Sequence, residues 1–172
     1  NFSLDPKNQT HNYNLTNKLD RKICKLIKDK KIIYVLPSTR LVYGNSKIKR
    51  YKESKLSSSN QNIYGINKKK IENEIVKLRN KNYLILRIGT ILAYDCFKRS
   101  LFITTALRNL KKINSITIDL EINTYKDFIT IEALSQILDK LINKKITGVY
   151  NLSSGIPIKV NDLLMNILKG YG

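Results

Sequence analysis

The stretch "KIIYVLPSTRLVYG" (Lys31–Gly44) decides how the chain is read. Its first half, "KIIYVL" (31–36), is short, apolar and rich in branched residues, as in a strand buried on both faces of a parallel sheet. Its second half turns polar and opens a stretch over 37–60 that holds Gly44 and the serine run 57–59. A structureless segment of that length in a compact domain is functional or mobile. Upstream, Leu15, Leu19, Ile23, Leu26 and Ile27 recur at helical spacing across 8–29. Downstream, Ile71, Ile75 and Leu78 mark one face of a helix over 61–80, and "NYLILRIG" (82–89) reads as a second buried strand. The order helix, strand, loop, helix, strand predicts an α/β fold with a parallel sheet and helical crossovers. Further on, the pattern predicts a helix over 97–112 and a strand at "SITIDL" (115–120). A helix over 131–143, a strand at "GVYNLS" (148–153) and a last helix from Val160 to Leu168 follow.

Composition narrows the function classes. With 172 residues and 42% apolar content the chain can bury a core, so bulk disorder is excluded. No apolar run approaches the length of a membrane span. The start, "NFSLDPKNQT", has no initiator Met and no apolar signal segment, which predicts a processed or truncated piece. Cys24 and Cys96 are far apart and His11 is the single histidine, so no metal site is expected. Two reduced thiols point to the cytoplasm. The formal charge of +19 would suit a polyanion, but the basic residues are scattered, and "NKKKIENE" carries its own acids. The abundance of Lys, Asn and Ile follows from A/T-rich codons. Nucleic acid is therefore disfavoured as a partner, while an anionic small molecule fits the field.

The chemistry is concentrated in "YGINKKKIENE" (Tyr64–Glu74). Tyr64 and Lys68 are spaced i and i+4, so both project from one helix face and can converge on one ligand. A cation in reach and a helix N-terminus both favour phenolate, which predicts a lowered Tyr64 pKa and proton transfer near neutral pH. The lysine can also hold a nucleotide's ribose hydroxyl. Thr39, just past the first strand, supplies a hydroxyl at the strand end where parallel α/β sheets place ligands.

Tyr-x-x-x-Lys alone arises often in a chain rich in both residues. The combination "STRLVYG" (38–44) with "YGINKKKIE" (64–72) is more specific, and it resembles the "SSxxVYG…YGxSKxxxE" pattern of the extended short-chain dehydrogenase/reductases. This is the NAD-dependent epimerase/dehydratase family acting on nucleotide sugars. The resemblance runs from about residue 4 to 168. "DPKNQTHNYNLTNKL" (5–19) is similar to a helix with Asn-x-x-Gly-Thr, with Leu15 at the glycine. "LILRIGTILAY" (84–94) is similar to "LRxxNVYG", with Thr90 where Asn is common. "YKDFITIEALSQIL" (125–138) is similar to "RDFIxVDDxAxA", with Lys126 for arginine, and "GVYNLSSGIPIKVNDL" (148–163) places Ser153 at a glycine.

The resemblance implies the C-terminal portion of a Rossmann-like sheet plus a small substrate-binding α/β region. Residues 1–95 would be the partial dinucleotide-binding domain and 96–172 the substrate region. Thr39, Tyr64 and Lys68 would be the catalytic trio. The same three, with Asn12 and Gly89, would hold NAD or NADP, and Thr90 and Lys126 would meet the nucleotide-sugar substrate. A homodimer would form through the 8–29 and 61–80 helices. The family's Gly-x-x-Gly-x-x-Gly turn does not occur among the seven glycines, so the fragment itself is expected to bind NAD weakly and to be inactive. Arg40-Leu41 stand where 4,6-dehydratases of the family carry Asp-Glu, which disfavours that subclass and leaves an epimerase or a reductase. The alternatives are a non-catalytic family member serving as a binding or scaffold subunit, and a basic nucleic-acid-binding module.

Overall fold

A computed structural model describes residues 22–23, 25–26, 32–44, 52–54, 63–77, 81–93, 102–116 and 122–171. The chain divides into two compact units, residues 1–88 with 139–152, and residues 89–138 with 153–172.

The first unit is built on strands β1 (Tyr34–Thr39), β2 (Tyr83–Ile88) and β5 (Gly148–Leu152), parallel and in the order β1-β2-β5. Helix α1 (Ile63–Lys77) links β1 to β2. Register explains its core. Leu36, Ile85 and Val149 stand level across the three strands, and two residues on so do Ser38, Arg87 and Asn151. Side chains two apart share a sheet face, so these are successive rungs of one face. The first rung is apolar and packs under Ile71 and Ile75 of α1. The second is polar: Glu72 of α1 binds Ser38 and Arg87 in it, and Lys68, one turn nearer the start of α1, reaches the Pro37 carbonyl beside it. A helix that returns the chain between parallel strands runs antiparallel to them, which brings its N-terminal half to the strands' C-terminal ends.

The second unit holds strands β3 (Thr90–Leu92), β4 (Tyr125–Thr130) and β6 (Pro157–Lys159), in the order β3-β4-β6. β3 runs parallel to β4, and β6 antiparallel to it. Its helices include α2 (Phe102–Ile113) and α4 (Val160–Tyr171). Ile103, Ala106 and Leu110 give α2 a buried stripe at helical spacing, and Ala106 packs with Val160 and Leu164 of α4. Helix α3 (Ile131–Asn143) follows β4 directly and crosses the division between the units. Its first turn is capped by Thr130, whose hydroxyl accepts from the Ala133 amide at 3.2 Å.

The first strand differs from expectation. It runs over 34–39, not 31–36, and Arg40–Tyr43 form a 3-10 helix where a loop was expected. Pro37 explains the misreading. Tyr34 N donates to Asn82 O at 2.9 Å, so the backbone groups of Tyr34, Leu36 and Ser38 face β2. The Pro37 nitrogen faces the other way, where a missing N–H costs β1 no bond to β2. The short strands β3, β4 and β6 were not anticipated; β3 and β6 have three residues each, too few to show a period. Helix 131–143 and the strands near 83–88 and 148–152 lie where the pattern placed them. The expected 97–112 helix runs over 102–113, and the last helix extends to Tyr171. Of the 8–29 helix only residues 22–23 and 25–26 are described, and these are helical. Residues 117–120 of the expected strand, Asn12, His11, Cys24 and Cys96 lie outside the described residues. Among the described residues no helix is long and apolar enough to cross a membrane.

Candidate active site

The polar rung is where the first unit gathers its functional groups. Thr39 ends β1 and serves as the N-cap of the 3-10 helix, with extended backbone (φ −142°, ψ 149°), and its hydroxyl accepts from the Leu41 amide at 3.3 Å. Gly44 closes that short helix at φ 74°, a left-handed conformation that suits glycine. Lys68 is 3% exposed, and its Nζ donates to the Pro37 carbonyl at 2.7 Å, two residues before Thr39. The same Nζ stands 5.8 Å from the centre of the Tyr64 ring, within cation–π range. The structure thus brings Tyr64, Lys68 and the strand end carrying Thr39 together. This follows from the i, i+4 spacing on α1 and from the strand ending at Thr39.

The expected electrostatics of Tyr64 are corrected. Burial pushes its phenol above the ordinary 10.0. Desolvation penalises the phenolate, and the Lys68 ammonium lies over the ring face while bonded to a carbonyl. At neutral pH Tyr64 is a neutral phenol, the form that gives a proton.

Sequence reasoning assigned no role to the groups beneath this pair. Glu72, one turn after Lys68 on the same face, is 2% exposed, and Arg87 on β2 is 4% exposed. Arg87 Nε donates to both Glu72 oxygens at 3.2 and 3.1 Å, and its Nη2 donates to Oε2 at 2.8 Å. Ser38 donates its hydroxyl to Glu72 Oε1. Arg87 Nη1 donates to the Tyr43 hydroxyl and to the Glu53 carbonyl, each at 2.9 Å. Tyr43 in turn donates to Asn151 Oδ1 at 2.7 Å, and the backbone N–H of Asn151 donates to Glu53 Oε1 at 3.1 Å. Burial alone would lower the Arg87 pKa, but the hydrogen bonds and charge of Glu72 and the contact with Tyr43 outweigh it and hold the guanidinium firmly charged. Burial pushes the Tyr43 phenol up, against the opposing pull of Arg87 and Asn151. A signal for this network was present: an arginine inside the apolar run "YLILRI" must find a buried partner. Glu72 lies at i+4 from Lys68, where a partner on the inward face would be sought.

Gly89, Thr90 and Lys126 belong to the second unit. A side chain at position 89 would collide with Ser153 Oγ and come within 3.0 Å of the Asp127 carbonyl oxygen. Close packing by itself therefore disfavours a side chain there. Ser153 Oγ is buried with no hydrogen-bond partner among the described residues. Thr90 opens β3 opposite Phe128, and Lys126 is half-buried on β4 opposite Ile158. Next to it, Asp127 grips the turn after β5: its Oδ1 accepts from the Ser154 amide at 2.9 Å and hydroxyl at 2.6 Å, and its Oδ2 from the Gly155 amide at 3.0 Å.

No family model matches the sequence, and no curated protein matches it. Solved structures do. The WbmG enzyme of Bordetella bronchiseptica, in complex with NAD, is 20% identical with a TM-score of 0.76, over 98% of this chain and 53% of that one. A UDP-N-acetylglucosamine 4-epimerase from Methanobrevibacter ruminantium is 18% identical with a TM-score of 0.74, over 88% of this chain and 51% of that one. An L-threonine dehydrogenase from Phytophthora infestans is 15% identical with a TM-score of 0.80, over 96% of this chain and 57% of that one. The chain thus spans about half the length of the structures it matches. The parallel sheet, the α1 crossover and these likenesses lead to one conclusion: over that half of their length, the chain shares the Rossmann-like α/β fold of these enzymes.

Proposed function

We propose that this chain is part of an NAD(P)-dependent nucleotide-sugar epimerase or reductase of the extended short-chain dehydrogenase/reductase family. The observation that carries the reading is the meeting of Tyr64 and Lys68 on one face of α1 with the strand end that bears Thr39. Fold alone would not carry it, because an L-threonine dehydrogenase has the same fold.

NAD is assigned as the cofactor; several solved structures with this fold, WbmG among them, hold it. The residues present fit its nicotinamide end: a buried phenol and ammonium beside a strand-end hydroxyl. When bound, the cofactor supplies the hydride acceptor or donor. Thr39 hydrogen-bonds the sugar oxygen that gains or loses a proton. Tyr64, a neutral phenol by burial, gives its proton to that oxygen as the carbonyl is reduced, and Lys68 stabilises the phenolate left behind. Arg40 and Leu41 follow Thr39 directly in the 3-10 helix, so no carboxylate stands there to assist loss of water. This favours epimerisation or reduction over dehydration. Gly89 is assigned to the cofactor amide through its backbone, Asn12 to the nicotinamide side, Thr90 to the sugar, and Lys126 to the diphosphate, where an ammonium keeps the charge without arginine's fork. Residues 1–95 then form the cofactor-facing part and 96–172 the substrate-facing part, with 139–152 grouped with the first unit. Pairing of two subunits through the 8–29 and 61–80 helices completes the reading.

The test is turnover of a nucleotide-sugar panel with NAD or NADP by the protein that carries this chain. Tyr64→Phe is expected to cut turnover by about 10²–10⁴-fold while cofactor affinity holds, and Lys68→Ala to weaken both. Unchanged turnover in Tyr64→Phe would sink the proposal.

A further inference from the structure

We propose that Glu72 is a positioning residue for Thr39 and Lys68, and that Ser38 is the link through which it acts. The inference rests on the proposed role of Thr39, Tyr64 and Lys68. Three consecutive residues end β1, and each is held by a different group. The Pro37 carbonyl accepts from Lys68. The Ser38 hydroxyl donates to Glu72. The Thr39 hydroxyl caps the 3-10 helix. Lys68 and Glu72 sit one turn apart on α1, so the helix grips the strand end at two successive points.

Glu72 can set a position because it is itself fixed. Ser38 and Arg87 are register partners on neighbouring strands, and both grip the same carboxylate. Arg87 approaches with two of its nitrogens, which defines the plane of the carboxylate as well as its place. Its third nitrogen, Nη1, is occupied by Tyr43 and the Glu53 carbonyl. A carboxylate that served only to neutralise Arg87 would need no bond to the residue preceding Thr39. The bond from Ser38 transmits the rigid Arg87–Glu72 pair to the strand end, and so sets Thr39 against the Lys68 ammonium.

Ser38→Ala tests this, since it removes the link and leaves the buried ion pair in place. The readouts are the Lys68 Nζ resonance in a 15N-lysine-labelled sample and hydrogen exchange of the Leu41 amide, neither of which requires turnover. The expected result is a broadened Lys68 signal and Leu41 exchange faster by about tenfold or more, with the Ile85 and Leu86 amides of β2 unchanged. Ser38→Thr, which keeps the hydroxyl, is expected to restore both readouts. If Ser38→Ala leaves both as in the wild type, or speeds Leu41 no more than Ile85, Glu72 and Ser38 are merely structural and the proposal falls. Should the protein prove unable to turn over nucleotide sugars while Lys68 and Leu41 respond as expected, the proposed function fails and the coupling stands.

Discussion

Two rungs of one sheet face, a pleat apart, do opposite things. Leu36, Ile85 and Val149 form an apolar layer under Ile71 and Ile75, while Ser38, Arg87 and Asn151 form a polar layer under Lys68 and Glu72. The same strands and the same helix build both. What changes is distance along the strands toward their C-terminal ends. The apolar rung is stabilised by area removed from water and tolerates exchange among hydrophobes of similar volume. The polar rung holds buried charge, which is costly unless every member is satisfied. The comparison teaches that the fold concentrates its least replaceable contacts directly beneath the groups assigned to chemistry.

The sharpest way to break the comparison is to leave one charge of the polar rung alone. Arg87→Ala, which strands Glu72, is expected to destabilise the protein by about 3–5 kcal/mol, measured as the fall in urea midpoint. A second variant separates charge from volume. Arg87→Met with Glu72→Leu replaces the pair by apolar side chains of similar size and is expected to recover a large part of that loss. If the double variant unfolds as easily as Arg87→Ala, the polar rung stabilises by more than its charge balance. The apolar rung gives the milder contrast: Ile85→Val is expected to cost about 0.5–1.5 kcal/mol with the Lys68 resonance unmoved.

The smallest effect appears only in alkali. Tyr43 and Tyr64 both have phenols raised above 10.0 by burial. A raised pKa means that the folded state keeps its proton longer than the unfolded chain, so this stability is fully present below pH 10.0 and is lost as pH rises through the folded values. Denaturation curves taken across that window should show the loss, and Tyr64→Phe should shrink it. A stability that stayed flat above pH 10.0 would mean that the phenols are not desolvated as the geometry requires.

How much of this was legible in the sequence follows from the physics of each part. The 131–143 helix shows its period in Leu134, Ile137, Leu138 and Leu141, and it was placed at its observed bounds. The apolar rung was legible as two hydrophobic runs. The position of Tyr64 and Lys68 on one helix face was legible from their spacing. The end of β1 was not, because Pro37, Ser38 and Thr39 look like loop residues until register shows which way the proline nitrogen faces. The raised pKa of Tyr64 was not legible either, since spacing predicts a nearby cation but not the depth of burial that outweighs it. The polar network lay half in view: Arg87 and Glu72 stand in the quoted motifs, but only the fold shows that Ser38 joins them.

Pro37 carries one further consequence. On the side of β1 turned away from β2, residue 37 offers no N–H, and its carbonyl is taken by Lys68. Any strand that lines up along that side meets a gap in its ladder at this point, with no donor to answer it and an acceptor already shared with Lys68. A neighbour that supplies its own bulge or polar side chain opposite Pro37 can dock there, whereas a regular strand, such as a second copy in an aggregate, forfeits a bonded site. The same residue that lets β1 pair fully with β2 therefore interrupts any ladder on its other side.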